Sequence, residues 1–347
     1  MIFRSLSSKR SILFILAWYI SCAPPRSLLT VTGAPELKRK INELISSSGL
    51  DVSIGIKIVS LNSGETLYGL NHHKLLLPAS NNKLYTCAAA IDRLGADHVF
   101  TTTVLRNKEN LILKGGGDPD LTIDRLDSLA KISVEIIKNV DTLFVDESLM
   151  DTMYYGKGWM WDEGSWWYAA PISAMSVNDN CIDFYVDPGQ LGRPAKIEHY
   201  PRTSYSRFVN NSITVNDTLD LKKFKIERDW AGRTNQFTIT GEILDTAKTD
   251  TFYRNIHGPA LFSGTLFKEL LELHGAKIKN ILIGNSSGIL DTIAVHRSDS
   301  LIHSAFNLMN ESDNLTAELF IKTMGTSTQN PGTVSYTHLT LPTNREV

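Results

Sequence analysis

The stretch PASNNKLYTCAAA, from Pro78 to Ala90, places Ser80 three residues before Lys83. Its reading decides the fold, because the pair is either a nucleophile with its base or two polar positions on an ordinary helix. A serine hydroxyl is a weak nucleophile and needs a base. A lysine serves only if its ammonium, with an unperturbed pKa of about 10.4, loses its proton, which requires partial burial or a nearby positive charge. Spacing of three puts both side chains on one helical face. Ser80 then stands at the helix N-terminus, where free N–H groups and the dipole favour an oxyanion. Leu84, Cys87, Ala88, Ile91 and Leu94 predict one apolar face, with Gly95 as the stop. The pattern alone is weak: Ser128 and Lys131 match it too, on an amphipathic helix where they read as a solvated face.

Upstream, Ala34–Ser47 carries Leu37, Ile41, Leu44 and Ile45 at helical spacing. VSIGIKIVSL (Val52–Leu61) alternates as a strand, NSG is a turn, and ETLYGLN resumes as a second strand of an antiparallel hairpin. Downstream, short strand-like runs are expected, including LILKGGGDPDL and TLFVDES, and helices near Leu126–Lys138, over Gly264–Ile278 and beyond Ser304. The region from about residue 98 to 250 is rich in short strands and turns, and no internal repeat is found.

Far along the chain, ESDNLTAELFIKTMG (Glu311–Gly325) sets Ser312 and Asn314 two residues apart just before a helix. In an extended turn both side chains point the same way. Ala317, Phe320, Ile321 and Met324 form the expected buried stripe. The competing reading is an N-cap cluster, since Ser, Asp and Asn all cap helices. Ser60–Asn62 and Ser176–Asn178 match serine-x-asparagine as well.

Composition bounds the function. The chain has 347 residues, 42% apolar and 21% charged, with 35 basic and 37 acidic side chains. This near-neutral balance gives no basic face for a nucleic acid, and none is expected as a partner. Arg4, Lys9 and Arg10 precede the apolar run SILFILAWYI and then Ser21, Cys22 and Ala23. That is an export signal over residues 1–23, with an uncleaved anchor as the alternative. Cys22 loosely resembles a lipidation site. Any membrane association is expected through the N-terminus alone, and the destination is the periplasm or cell envelope. Cys87 and Cys181 are too few for a disulfide framework, and Cys87 reads as a small buried hydrophobe. No metal is expected, for the nine histidines lack spacing such as HExxH, and no cofactor. Gly115–Gly117 reads as a tight turn, not a phosphate loop. Trp159, Trp161, Trp166 and Trp167 read as packing, with stacking on sugars as the alternative.

The combination is stronger than any part. PASNNKL, GGGDPDLT, APISAMSVNDNCIDF and ESDNLTAELFIKTMG occur in this order. Each resembles a segment of the serine D-alanyl-D-alanine carboxypeptidases/endopeptidases of the penicillin-binding protein 4 type. The resemblance runs from about Ala34 to Gly325. It implies an α/β (α+β) chain: a β-lactamase/transpeptidase-like domain (34–97 and 250–330) interrupted by inserted strand-rich domains (98–249). It implies that Ser80 is the acylated nucleophile and Lys83 its base, that Ser312 passes a proton to the leaving group, and that Asn314 holds the substrate amide and fixes Lys83. Peptidoglycan stem peptides are the implied substrates and β-lactam antibiotics the implied covalent inhibitors. The family's third motif, Lys-Thr-Gly on a strand, does not occur. Lys322-Thr323-Met324-Gly325 begins eight residues after Asn314 and lies on the same helix, and Lys248-Thr249-Asp250 lacks the glycine. Residues 331–347 resemble a translated cloning adaptor, so a non-native tail is expected, with the third motif lost beyond Gly325. Little or no labelling of this chain by a fluorescent penicillin is therefore expected. Two further readings stay open: an esterase or β-lactamase of the same fold, and a non-catalytic cell-wall binding protein.

Overall fold

The structure, a computed structural model, describes residues 35–160, 162–285, 288–326 and 332. The export-signal segment, Trp161 and all of the expected tail except Gly332 lie outside these residues. No helix among them is long and apolar enough to cross a membrane. The chain divides into two compact units at Ala79/Ser80.

The first unit contains α1 (Pro35–Ser47) and the hairpin of β1 (Ile56–Val59) and β2 (Thr66–Leu70). The strands pair antiparallel from Ile56↔Leu70, with a bulge at Ile58/Val59. Both elements are those expected from the periodicity, the first strand being shorter because only its centre finds a partner. The Tyr68 hydroxyl donates to Asn42 Oδ1 at 2.7 Å and ties the hairpin to the helix.

The second unit begins with α2 (Asn82–Leu94), then β3 (Val99–Asn107), β4 (Asn110–Lys114), α3 (Ile123–Ile136) and β5 (Asn139–Asp146). After a long connection come β6 (Cys181–Asp187), β7 (Lys196–Tyr200), β8 (Arg207–Asn210), β9 (Ile213–Val215), β10 (Lys225–Arg228), β11 (Gln236–Thr240), β12 (Glu242–Leu244) and β13 (Asp250–Asn255). The unit closes with α4 (Pro259–Leu273), β14 (Lys277–Ile283), β15 (Asp291–Ser300), α5 (Leu301–Glu311) and α6 (Asn314–Thr326). The helix expected over Gly264–Ile278 starts five residues earlier, at Pro259, whose fixed φ suits a first helical turn.

The main sheet has the order β14-β5-β4-β3-β15. It joins strands on both sides of the division expected at 249/250, so the sheet runs across that division and ends at Ser300. Local periodicity carries no information about such long-range pairing. Val104, Leu113, Leu143 and Val145 from the sheet meet Leu126 and Leu129 of α3 and Phe262, Phe267 and Leu271 of α4 in one buried core. Three smaller sheets, β7-β6-β13, β8-β11-β10 and β9-β12, make up the strand-rich middle.

A second core lies where α2, α5 and α6 meet. It joins Cys87, Ala90, Phe100, Leu301, Ala305, Leu308, Ala317, Phe320 and Met324. Phe100, on β3, stacks on Phe320 of α6, with centroids 6.1 Å apart. Leu301 N–H donates to the His98 carbonyl at 2.7 Å, so α5 starts beside the turn that ends α2. The GGGDPD turn holds its far side: Ser304 Oγ donates to Asp120 Oδ2 and Asn307 Nδ2 to Asp120 Oδ1. Its glycines serve close backbone approach, since a Cβ on Gly115 or Gly116 would collide with the Ala174 or Thr101 carbonyl.

Candidate active site

Ser80 and Lys83 stand at the start of α2, and Ser312 and Asn314 at the junction of α5 and α6. The contacts of α2 with α5 and α6 bring the four together across more than two hundred residues of sequence. Lys83 Nζ lies 3.2 Å from Ser80 Oγ and 2.6 Å from Asn314 Oδ1. Ser312 Oγ lies 2.9 Å from Ser80 Oγ. All three distances are within hydrogen-bond reach, which proton transfer between such groups requires.

The buried stripe of α2 follows its hydrophobicity at Cys87, Ile91 and Leu94 and departs from it at Leu84 and Ala88. Lys83, Cys87 and Ala90 face inward, while Leu84 is 56% exposed. The lysine therefore takes an inward position that apolar periodicity assigns to a neighbour. Burial pushes the Lys83 ammonium below the ordinary lysine range, with Asp313 and Glu318 acting in the opposite direction. As an ammonium Lys83 donates to Ser80. Once deprotonated, it offers a lone pair to the Ser80 hydroxyl across the same distance.

The Ser312-Asp313-Asn314 turn is not extended. Ser312 is left-handed, with φ 55° and ψ 41°, and closes α5. The capping reading of the tripeptide applies to Asp313. Asp313 is the cap, accepting from Leu315 N–H at 3.2 Å and Thr316 N–H at 2.6 Å. Its carboxylate satisfies the first turn of α6 and leaves Ser312 and Asn314 free to face Lys83 and Ser80. Asn314 Nδ2 donates to the Tyr168 carbonyl at 2.8 Å, which turns Oδ1 toward Lys83.

The other matches go elsewhere. Ser128 Oγ donates to the Asp124 carbonyl, and Lys131, on the helix surface, pairs with Asp127. Ser176 and Asn178 bond within their own turn. Lys322 is 1% exposed on α6 and pairs with Asp151 Oδ1 at 2.5 Å, so it is no third motif. Trp166 lies between the Arg254 guanidinium, 4.4 Å from its centroid, and the stacked ring of Tyr168. Beside Asp313, a cavity of about 420 Å³ is lined by Trp167, Asp179, Asp183 and Glu311 among others.

Sequence reasoning missed two participants. Glu318 lies four residues after Asn314, one helical turn along the same face, and that spacing is a usable signal. The Tyr168 contact is made by the main chain, so its side chain gives no signal.

The model of the D-Ala-D-Ala carboxypeptidase 3 (S13) family matches residues 37–341. A D-alanyl-D-alanine carboxypeptidase of Actinomadura sp. (strain R39) is 29% identical over 319 residues, covering 86% of this chain and 59% of that protein. The chain thus spans about three fifths of that relative's length. Penicillin binding protein 4 from Haemophilus influenzae shares the mixed α/β fold, with TM-score 0.73 and 21% identity over 86% of this chain and 68% of the other. The same protein complexed with a novel β-lactam gives TM-score 0.66 and 20% identity, covering 84% and 65%.

Proposed function

Because the chain belongs to the D-Ala-D-Ala carboxypeptidase 3 (S13) family, we propose that it is a serine acyl-transfer enzyme of the cell envelope. Its substrates are peptidoglycan stem peptides ending in D-Ala-D-Ala, and its nucleophile is Ser80. The observation that carries this reading is Lys83 Nζ held between Ser80 Oγ at 3.2 Å and Asn314 Oδ1 at 2.6 Å.

In this reading neutral Lys83 takes the Ser80 proton as Oγ attacks the carbonyl carbon of the scissile peptide bond. The C–N bond then breaks, and the leaving amine takes a proton through Ser312, which lies 2.9 Å from Ser80 Oγ. Water hydrolyses the resulting ester, and Ser80 regains its proton. Asn314 has one Nδ2 hydrogen on Tyr168 and a second left for the substrate amide carbonyl. A β-lactam enters by the same attack and stays bound as the ester. The β-lactam complex of the H. influenzae protein, which shares the fold, supports that choice of probe. Action on peptidoglycan is also what makes an exported, envelope-side location the fitting one.

The test is peptide mass spectrometry after incubation with a fluorescent penicillin. It is run on this chain and on the chain extended by a strand carrying the family's Lys-Thr-Gly motif. The expected adduct is on Ser80, faster in the extended chain and absent from Ser80→Ala. An adduct on another residue, or equal labelling of Ser80→Ala, would overturn the reading. Turnover of D-Ala-D-Ala peptide against cephalosporin and ester substrates separates carboxypeptidase from β-lactamase or esterase activity.

A further inference from the structure

Asn314 can fix Lys83 only while its amide faces the right way, and the Tyr168 carbonyl sets that orientation. Tyr168 lies on the loop 164–169, and the last two residues of β13 grip that loop. Asn255 is 1% exposed. Its Nδ2 donates to the carbonyls of Gly164 at 3.2 Å, Trp166 at 2.8 Å and Ala169 at 2.9 Å. Its main-chain N–H donates to the Ser165 carbonyl at 3.0 Å. Arg254 covers the face of Trp166, which in turn stacks on Tyr168.

The Asn255 amide is itself oriented. Arg228 has only donors, and its Nε and Nη2 reach Asn255 Oδ1 at 3.3 and 3.0 Å. The acceptor end must face the guanidinium, so the donor end must face the loop carbonyls. The same logic repeats at Asn314. A carbonyl that only accepts holds Nδ2, and Oδ1 is left for Lys83.

We infer that Asn255 is a positioning residue: by holding the 164–169 loop it fixes the Tyr168 carbonyl, and so the end of the Asn314 amide that faces Lys83. This rests on the reading of Lys83 as the base. Asn255 touches neither Lys83 nor Ser80 and acts through Asn314 alone. The charged groups acting on Lys83, Asp313 and Glu318, both lie on the α6 side and are untouched by changes at 255.

The experiment is a 13C NMR titration of 13Cε-lysine-labelled protein, following Lys83 in the parent, Asn314→Ala, Asn255→Asp and Asn255→Ala. Asn255→Asp keeps the acceptor for Arg228 but has no hydrogens for the loop, and Asn255→Ala controls for the added charge. Loss of the Asn314 acceptor destabilises the ammonium, so Lys83 should titrate at lower pH in Asn314→Ala. Both Asn255 variants should move it in the same direction by less, and in the chain extended by the Lys-Thr-Gly strand they should slow acylation of Ser80 by about 10- to 100-fold. A Lys83 titration unchanged in both Asn255 variants overturns the inference. If the chain extended by the Lys-Thr-Gly strand forms no Ser80 adduct, the proposed function falls, while the titration still decides the positioning role. Should circular dichroism show both Asn255 variants unfolded, the parent decides: slow exchange of the Asn314 Nδ2 protons supports the inference, and exchange as fast as in an exposed amide overturns it.

Discussion

The core between the main sheet and helices α3 and α4 is apolar almost throughout, with Leu113, Leu143, Phe262 and Phe267 fully buried. The core where α2, α5 and α6 meet is different. Around Phe100 and Phe320 it buries Lys83, Ser304 and Thr323, and Lys322 is buried on the opposite face of α6, beside Leu315 and Leu319. These polar groups have specific partners in hydrogen-bond reach: Asn314 for Lys83, Asp120 for Ser304 and, on the far face of α6, Asp151 for Lys322. Apolar burial is non-directional and tolerates exchange of shape for shape. Buried polar pairs fix angles and distances, and they are expensive to leave half-made. The sheet core thus supplies stability, and the helical core spends part of it on geometry.

Substitutions break or sharpen this contrast. The largest effect is expected from Ser80→Ala in the chain extended by the Lys-Thr-Gly strand, which should lower acylation by about 10⁴-fold or more and leave the unfolding midpoint in urea unchanged. Phe267→Ala, in the sheet core, should do the reverse. It should destabilise by about 3–5 kcal/mol, with acylation per folded molecule as in the parent. A changed acylation rate there would break the contrast. Asp151→Ala strands a buried ammonium and should cost about 3 kcal/mol in urea unfolding, whereas Lys322→Met fills the space with an apolar side chain and should cost less.

Two pH effects are smaller. Acylation should rise with pH and level off below the ordinary lysine value of about 10.4, because burial depresses Lys83. Glu318 holds Lys83 up, so Glu318→Gln should move that rise to lower pH, and a shift upward would contradict the placement. Burial pushes the Asp183 carboxyl up to about 6, against the opposing hydrogen bond from Asn178. A folded value above the unfolded one means its contribution is fully present below about pH 4 and lost as pH rises through about 6. Asp183→Asn should therefore stabilise the protein at pH 8 by about 1 kcal/mol after solvent screening, with no gain at pH 4.

What the sequence reveals follows the same division. The hairpin, the helix after Ser80 and the serine-asparagine turn are legible because caps, glycines and periodicity are local. Their convergence was legible only through the order of four motifs, because each motif alone had competing matches. The inward turn of Lys83 is legible only through the resemblance and the needs of a base, since hydrophobic periodicity rewards Leu84 and cannot see an Asn 231 residues away. Nor was the pairing of β14 and β15 with β5 and β3, because strand partners are chosen in three dimensions. The grip of Asn255 on the 164–169 loop escapes for both reasons: its partners are distant and they are carbonyls.

The Tyr168 contact has a consequence for heredity. The atom that orients Asn314 is a main-chain oxygen, and every amino acid the genetic code can place at position 168 supplies one. No amino-acid substitution there can delete it. Variation that weakens the contact must instead act on the side chains that shape the loop, at sites such as Asn255, Arg254 and Arg228. Variants selected for altered β-lactam response would then carry changes at those three sites, far from the nucleophile, or at the Tyr168 ring that stacks on Trp166.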